Sequence, residues 1–192
     1  MPRPREGTAS DKGFQAMRIE VENLTGAGRP FAKTYTPGEV ELDEEGARLV
    51  SGAKVEGSAR RKGDEVSLRG RISAEVEVGC DRCVAAVRVP LEVEFDTAFI
   101  PREKAAGETE NVELLSEDMG LATFEGGAVD LDELVREQIL LALPSRRLCR
   151  EDCKGLCPEC GADLNAGACS CEKGEVDPRW SALADWNKSR EP

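Results

Sequence analysis

The chain contains no histidine among its 192 residues. That absence removes Ser-His-Asp and Cys-His nucleophile machinery and the H-E-x-x-H metallopeptidase site. No Gly-rich phosphate loop is present either. Asp and Glu are plentiful, but they fall on strand exteriors or in an acidic connection, where solvated faces are their ordinary role. The sequence is therefore read as non-enzymatic. Aromatic residues make up only 4% of the chain, so the core has to be built from Val, Leu, Ile and Ala. There is no apolar run of about eighteen residues, and "MPRPREGTASDKGFQA" lacks the apolar stretch of a secretory signal. The expectation is a cytoplasmic protein with no membrane association.

Basic residues are in deficit, 26 against 38 acidic, for a formal net charge of −12. Between 102 and 137 three basic residues face eleven acidic ones. Such a balance repels a phosphate backbone unless basic groups are segregated, and it suits a basic protein partner.

What the sequence does have is sulfur. Six of its eight cysteines lie in "CREDCKGLCPECGADLNAGACSC", residues 149–171. In a reducing cytosol, clustered cysteines are more often metal ligands or redox groups than disulfides.

Residues 1–16 read as a disordered leader. Met17 opens the first structured element and is a candidate start. From Ala47 to Phe95 apolar residues alternate with charged ones, through Val55, Val66, Leu68, Ile72, Val76, Val78, Val87, Leu91, Val93 and Phe95. That period of two describes half-buried strands. Gly63-Asp64 and "GCDRCV" at 79–84 supply the reversals, giving an antiparallel meander. Residues 101–129 read as an acidic connection in which Phe124 and Val129 pair as a short strand. Asp130, with Glu133 three residues on, caps a helix whose Leu131, Leu134, Val135, Gln138, Ile139 and Ala142 share one face. Pro144 stops it. "DPRWSALADWNK" reads as a short terminal helix with Trp180, Leu183 and Ala184 on one face.

The fold class expected is α+β: a mostly antiparallel, partly closed β-meander with one main helix, and a small Cys-rich, zinc-ribbon-like C-terminal segment. The domain boundaries are 17–148 for the α+β unit and 149–192 for the metal-binding tail.

Two C-x-x-C pairs sit where turns are expected, Cys80/Cys83 and Cys157/Cys160, and such pairs bind one ion across a tight turn. Without histidine, a tetrahedral site must be sulfur-only or borrow a carboxylate. Cys157, Cys160, Cys169 and Cys171 form a local set spaced C-x2-C-x8-C-x-C. Cys80, Cys83, Cys149 and Cys153 remain, and would staple sheet to tail if the helix returns beside the hairpin tip. Spacing leaves the cross-pairings open, and with them one zinc ion or two. Cys80/Cys83 also read as small half-buried hydrophobes or a redox dithiol. Cys153-x3-Cys157-x2-Cys160 has the spacing of a radical SAM cluster motif, but it lies too near the end of the chain to precede a barrel.

"VEVGCDRCVAAV", "VDLDELVREQILLALPSRRLCREDCKGLCPECGADLNAGACSC" and "DPRWSALADW" together resemble the YceD-like family over roughly 17–187. The resemblance implies a bacterial cytosolic factor, not an established enzyme, that is needed for accumulation of the large-subunit (23S) ribosomal RNA and is genetically linked to a large-subunit ribosomal protein. It carries over Cys80, Arg82, Cys83 and the six tail cysteines. Arg82, Arg146, Arg147, Arg150 and Lys154 gather near the sulfurs and are candidate contacts to phosphates of large-subunit rRNA, while the acidic body suits a basic large-subunit ribosomal protein. The competing function is a free-standing thiol-redox or metal-handling protein.

Overall fold

The computed structural model describes residues 17–42, 46–105, 121–171 and 179. The leader at 1–16 and the helix expected around Trp180 lie outside the described residues.

The alternating stretch forms β3 (Arg48–Leu49), β4 (Ala53–Lys62), β5 (Glu65–Gly79) and β6 (Ala86–Pro101). Gly63-Asp64 is the two-residue turn joining β4 to β5, and Gly63 takes a φ of 64°, as a tight hairpin of this length requires. β5 and β6 pair over fourteen rows from Val66↔Phe99 to Gly79↔Ala86. At about 3.4 Å per residue this makes a ribbon roughly 45 Å long, with "CDRCVA" at its tip.

The sheet differs from the expected antiparallel meander in two ways. It is open rather than partly closed, with strands in the order β2-β4-β5-β6-β7 and β3 beside β5. It is also mixed, because β7 (Leu121–Phe124) runs parallel to β6. A parallel neighbour needs a crossover rather than a hairpin, and residues 102–120, which begin with the short helix α1 (Arg102–Ala105), make that connection. β2 (Arg29–Tyr35) adds an antiparallel edge against β4. Phe124 and Val129 do not share a strand. Phe124 belongs to β7, whereas Val129 lies in β8 (Ala128–Asp130), paired with β1 (Arg18–Glu20) in a separate two-stranded sheet.

The core follows the period-two pattern. Val55, Val66, Leu68, Ile72 and Val76 are fully enclosed. Among the described rings, Tyr35, Phe95, Phe99 and Phe124 are buried as well, and Phe31 packs half-buried against the core. Helix α2 (Leu131–Ala142) covers this face, burying Leu131, Leu134, Val135 and Ile139. Each such side chain contributes about 1.5–3 kcal/mol. Gln138 and Ala142 fall at the margin of that stripe, half-buried. Asp130 caps the helix, its Oδ1 accepting from the amides of Asp132 (3.0 Å) and Glu133 (3.2 Å). Leu143, held extended ahead of Pro144, ends it.

Asp132, in the first turn, ties three elements together. Its carboxylate accepts from Lys33 Nζ (2.9 Å), Tyr35 OH (2.8 Å) and the amide of Met17 (3.3 Å). Burial and the neighbouring Asp132 carboxylate push the Tyr35 phenol above its ordinary range.

Within the β4–β5 pairing, Gly57 faces Gly70. A Cβ on Gly70 would lie 2.4 Å from the Glu56 carbonyl and 2.8 Å from the Phe95 ring. Gly70→Ala is therefore expected to cost about 1–3 kcal/mol of stability by overpacking, read as a lower urea midpoint at unchanged m-value.

Candidate metal centres

The structure divides the eight cysteines into two groups of four, and within each group the sulfurs all lie within 4.8 Å of one another. The first joins Cys80 and Cys83 at the hairpin tip to Cys149 and Cys153 beyond α2. The second is Cys157, Cys160, Cys169 and Cys171. Of the pairings that spacing left open, the structure selects the local set 157–171 and the sheet-to-tail set. Cys80 Sγ lies 3.8 Å from Cys153 Sγ, and Cys83 Sγ 3.6 Å from Cys149 Sγ. A tetrahedron of sulfurs each about 2.3 Å from one ion has edges of about 3.8 Å, so the donor set fits a single divalent ion.

Both C-x-x-C pairs are built alike. The Cys80 carbonyl accepts from the Val84 amide at 2.9 Å, and the Cys157 carbonyl from the Gly161 amide at 2.9 Å. The Cys80 amide donates to Ala85 O, and the Cys157 amide to Ala162 O, each at 2.8 Å. The residue after the second cysteine has positive φ in both, 61° for Val84 and 72° for Gly161. "CDRCVA" and "CPECGA" therefore make the same turn, a shared C-x-x-C-x-A pattern that was there to be read in the sequence.

Polar contacts draw the tail onto the tip. The Asp81 amide donates to Arg147 O (2.8 Å), the Arg147 amide returns a bond to Asp81 Oδ2 (2.6 Å), and Arg147 Nε lies 3.4 Å from Asp81 Oδ1. Arg82 donates to Cys153 O (2.5 Å), and the Leu156 amide donates to Arg82 O (3.0 Å). Gly155, at φ 79°, lies so close that a Cβ would fall 2.9 Å from Arg82 O.

Asn165 bridges the two groups from the loop of the second. Its Oδ1 accepts from the Lys154 amide and from Arg150, both at 2.8 Å, while its Nδ2 lies 3.5 Å from Cys153 Sγ. Asn165 and Asp81 were not singled out from the sequence, because a lone Asn or Asp carries no spacing signal.

Within each group the thiols are driven apart in acidity. Burial opposes ionisation of Cys80, but the amides of Arg82, Cys149 and Cys83 outweigh it and bring the thiol down to about 6. Burial likewise opposes ionisation of Cys153, and Asn165 with the Gly155 amide brings it down. The amides of Cys160 and Glu159 lower Cys157 to about 7. Cys149, facing Cys153 and Cys83, is pushed up to about 12, and Cys171, facing Cys160, also to about 12. Such crowding keeps four sulfurs from ionising together unless a cation sits among them.

The basic candidates separate by their contacts. Arg82 is tied to Cys153 O, Arg147 faces Asp81, and Arg150 binds Asn165 and lies 3.4 Å from Asp152. Arg146 and Lys154 are exposed and carry no side-chain partner among the described residues.

The model of the family described as "Large ribosomal RNA subunit accumulation protein YceD" matches residues 68–186, from within β5 past both cysteine groups. The chain belongs to the YceD family. It is also similar to an uncharacterised protein of Mycobacterium tuberculosis, 28% identical over 96% of this chain and 88% of that protein. The uncharacterised YlbN of Bacillus subtilis is 29% identical over 80% of this chain and 84% of its own. A chloroplastic Arabidopsis thaliana protein named as a large ribosomal RNA subunit accumulation protein, YCED homolog 1, is 26% identical over 65% of this chain and 45% of its own. No solved structure matches the chain. Among the described residues no helix is long and apolar enough to cross a membrane. Both cysteine groups thus fall inside the part of the chain that defines the YceD family here.

Titration of the metal-free protein with Co2+ is expected to saturate at two ions per chain, followed by the sulfur-to-cobalt absorption, and Cys153→Ser should reduce this to one. Asn165→Ala is expected to retain both sites while weakening the first about 10–100-fold, the usual effect of losing a residue that orients a ligand.

Proposed function

We propose that this protein is a non-enzymatic, zinc-bearing factor of ribosome biogenesis that supports accumulation of the large-subunit (23S) rRNA in the cytoplasm. It meets that RNA with the metal-pinned end of its long hairpin. The observation that carries the reading is the joining of hairpin tip and tail through four sulfurs, within a chain of the YceD family, on a tail whose Arg146 and Lys154 have no side-chain partner among the described residues.

A four-sulfur shell favours zinc, and it supports a structural rather than catalytic ion because no coordination position is left for water or substrate. The zinc would be held by Cys80, Cys83, Cys149 and Cys153 in one site, and by Cys157, Cys160, Cys169 and Cys171 in the other. The even spread of the sulfurs argues against a dithiol switch, which needs one pair poised to close to about 2 Å. The exposed Arg146 and Lys154, on the tail that also carries the tied Arg150 and the acidic Glu151, Asp152 and Glu159, are the side chains that would meet a phosphate backbone at this end.

A second reading, a basic large-subunit ribosomal protein as partner, is favoured by the cleft between β7, β8 and α2, where Glu125, Asp130, Glu133 and Glu137 outnumber Arg18 and Arg102, which pair with Asp130 and Glu125. The two partners are compatible, since the cleft and the tip lie at opposite ends of β6.

Reversing Arg146 and Lys154 to Glu is expected to reduce co-sedimentation with large-subunit precursor particles, and to lower the log–log salt slope of 23S rRNA binding by roughly two, with metal content unchanged. Unchanged co-sedimentation would remove the RNA contact from this end of the molecule.

A further inference from the structure

The two cysteine groups share a short strip of backbone. Cys153 belongs to the first and Cys157 to the second, with only Lys154, Gly155 and Leu156 between them. On one side the strip bonds to the hairpin tip, the Leu156 amide donating to Arg82 O at 3.0 Å. On the other it bonds to the loop that joins Cys160 to Cys169. There the Leu164 amide donates to Gly155 O at 3.0 Å, the Lys154 amide donates to Asn165 Oδ1 at 2.8 Å, and Leu156 pairs with Asp163.

Asn165 carries this contact through to a ligand. Asp163 Oδ1 accepts from its amide (2.9 Å) and from its Nδ2 (2.8 Å), which fixes the side chain, and Nδ2 also lies 3.5 Å from Cys153 Sγ. No residue from 161 to 168 is buried. The loop is therefore shaped by the sulfurs at its two ends and by its own hydrogen bonds, and a thiolate at Cys153 has the Asn165 donor only while that loop is closed.

The two groups are unequal in what they need. The second draws all its ligands from residues 157–171 and gathers them locally, whereas the first joins segments some seventy residues apart. The first also holds Val84 at a φ of 61°, a backbone region that a β-branched residue occupies only where the surroundings over-determine it. Cys160 and Cys171 of the second group are exposed, while Cys80 and Cys153 of the first are enclosed.

We propose that the second group is a regulatory metal site, whose four sulfurs, gathered on a divalent ion, close the 161–168 loop onto the shared strip and so raise the affinity of the first group for its own ion. The proposal rests on the zinc reading above and adds the coupling between the sites, its sign and its route. Coupling of this kind is reciprocal, so filling the first group tightens the second by the same factor. The tail, which has no greasy interior of its own, then docks at the hairpin tip as both groups fill together. Docking responds more steeply to free zinc than two independent sites would allow, and the solvent-facing second group is the one open to exchange.

The test titrates the reduced, metal-free, full-length chain with Co2+ against a chelator of known affinity. Cys160→Ser with Cys171→Ser leaves only the first site, and Cys83→Ser with Cys149→Ser leaves only the second. Both pairs take the more exposed sulfurs, so the body of the fold is spared. The overall two-ion constant of the parent should exceed the product of the two single-site constants by about 10–100-fold. Asn165→Ala should bring that ratio close to one. Asn165→Asp keeps an acceptor for Lys154 and Arg150 but has no donor for the sulfur, so it should lose the coupling as well.

A parent constant equal to the product would overturn the coupling while leaving two metal sites in place. Coupling that survives Asn165→Asp in full would overturn the route through the Cys153 sulfur. A chain that takes up no metal would overturn the zinc reading and the coupling together.

Discussion

Beyond α2 the described chain buries no aliphatic side chain. Its enclosed residues are Cys153, Gly155 and Cys157. A segment without a greasy interior cannot hold its place by the hydrophobic effect. The position of 144–171 rests instead on sulfurs brought to within 4.8 Å and on the hydrogen bonds of Asp81, Arg82 and Asn165. Everything proposed about this end of the molecule follows from that constraint, because a fixed contact surface requires a fixed tail.

The rest of the chain is arranged to bring that tail to the tip. β5 and β6 carry the first C-x-x-C turn far out along a ribbon, and α2, lying on the apolar face of the sheet, points its C-terminal end back toward it. Pro144 then releases the chain within reach of Cys80 and Cys83. The same helix is anchored at its other end by Asp130 and by the Asp132 contacts to Lys33 and Tyr35. The sheet and helix supply stability through burial, and the cysteine groups convert it into a defined end. Asn165 makes those groups interdependent, since the loop that wraps the second also presents a donor to a sulfur of the first.

The charge distribution acquires a meaning from this geometry. On a chain of net charge −12, the basic residues near the sulfurs are interleaved with as many acidic ones, Asp81, Glu151, Asp152, Glu159 and Asp163, so the contacts each makes decide which of them faces outward. Arg147, which sequence proximity grouped with Arg146, turns inward to Asp81, while its neighbour faces solvent. Adjacent residues of one type thus divide between holding the site and presenting it.

The sequence by itself determined the elements whose signal is local. Alternation fixed which faces of β4, β5 and β6 are buried, Gly63-Asp64 marked a hairpin, Asp130 and Pro144 bounded the helix, and C-x-x-C spacing marked both turns. These are read correctly because each depends on neighbours within a few residues. Tertiary structure alone decided the rest. β7 and β8 are too short to show a period, so their parallel and separate pairings came from where the crossover delivered them. The union of Cys80 and Cys83 with Cys149 and Cys153 spans some seventy residues of chain, a distance over which spacing carries no information. The strain at Val84 was invisible for a related reason: a valine after a cysteine is ordinary in sequence, and only the turn that the sulfurs and amides impose makes its backbone costly.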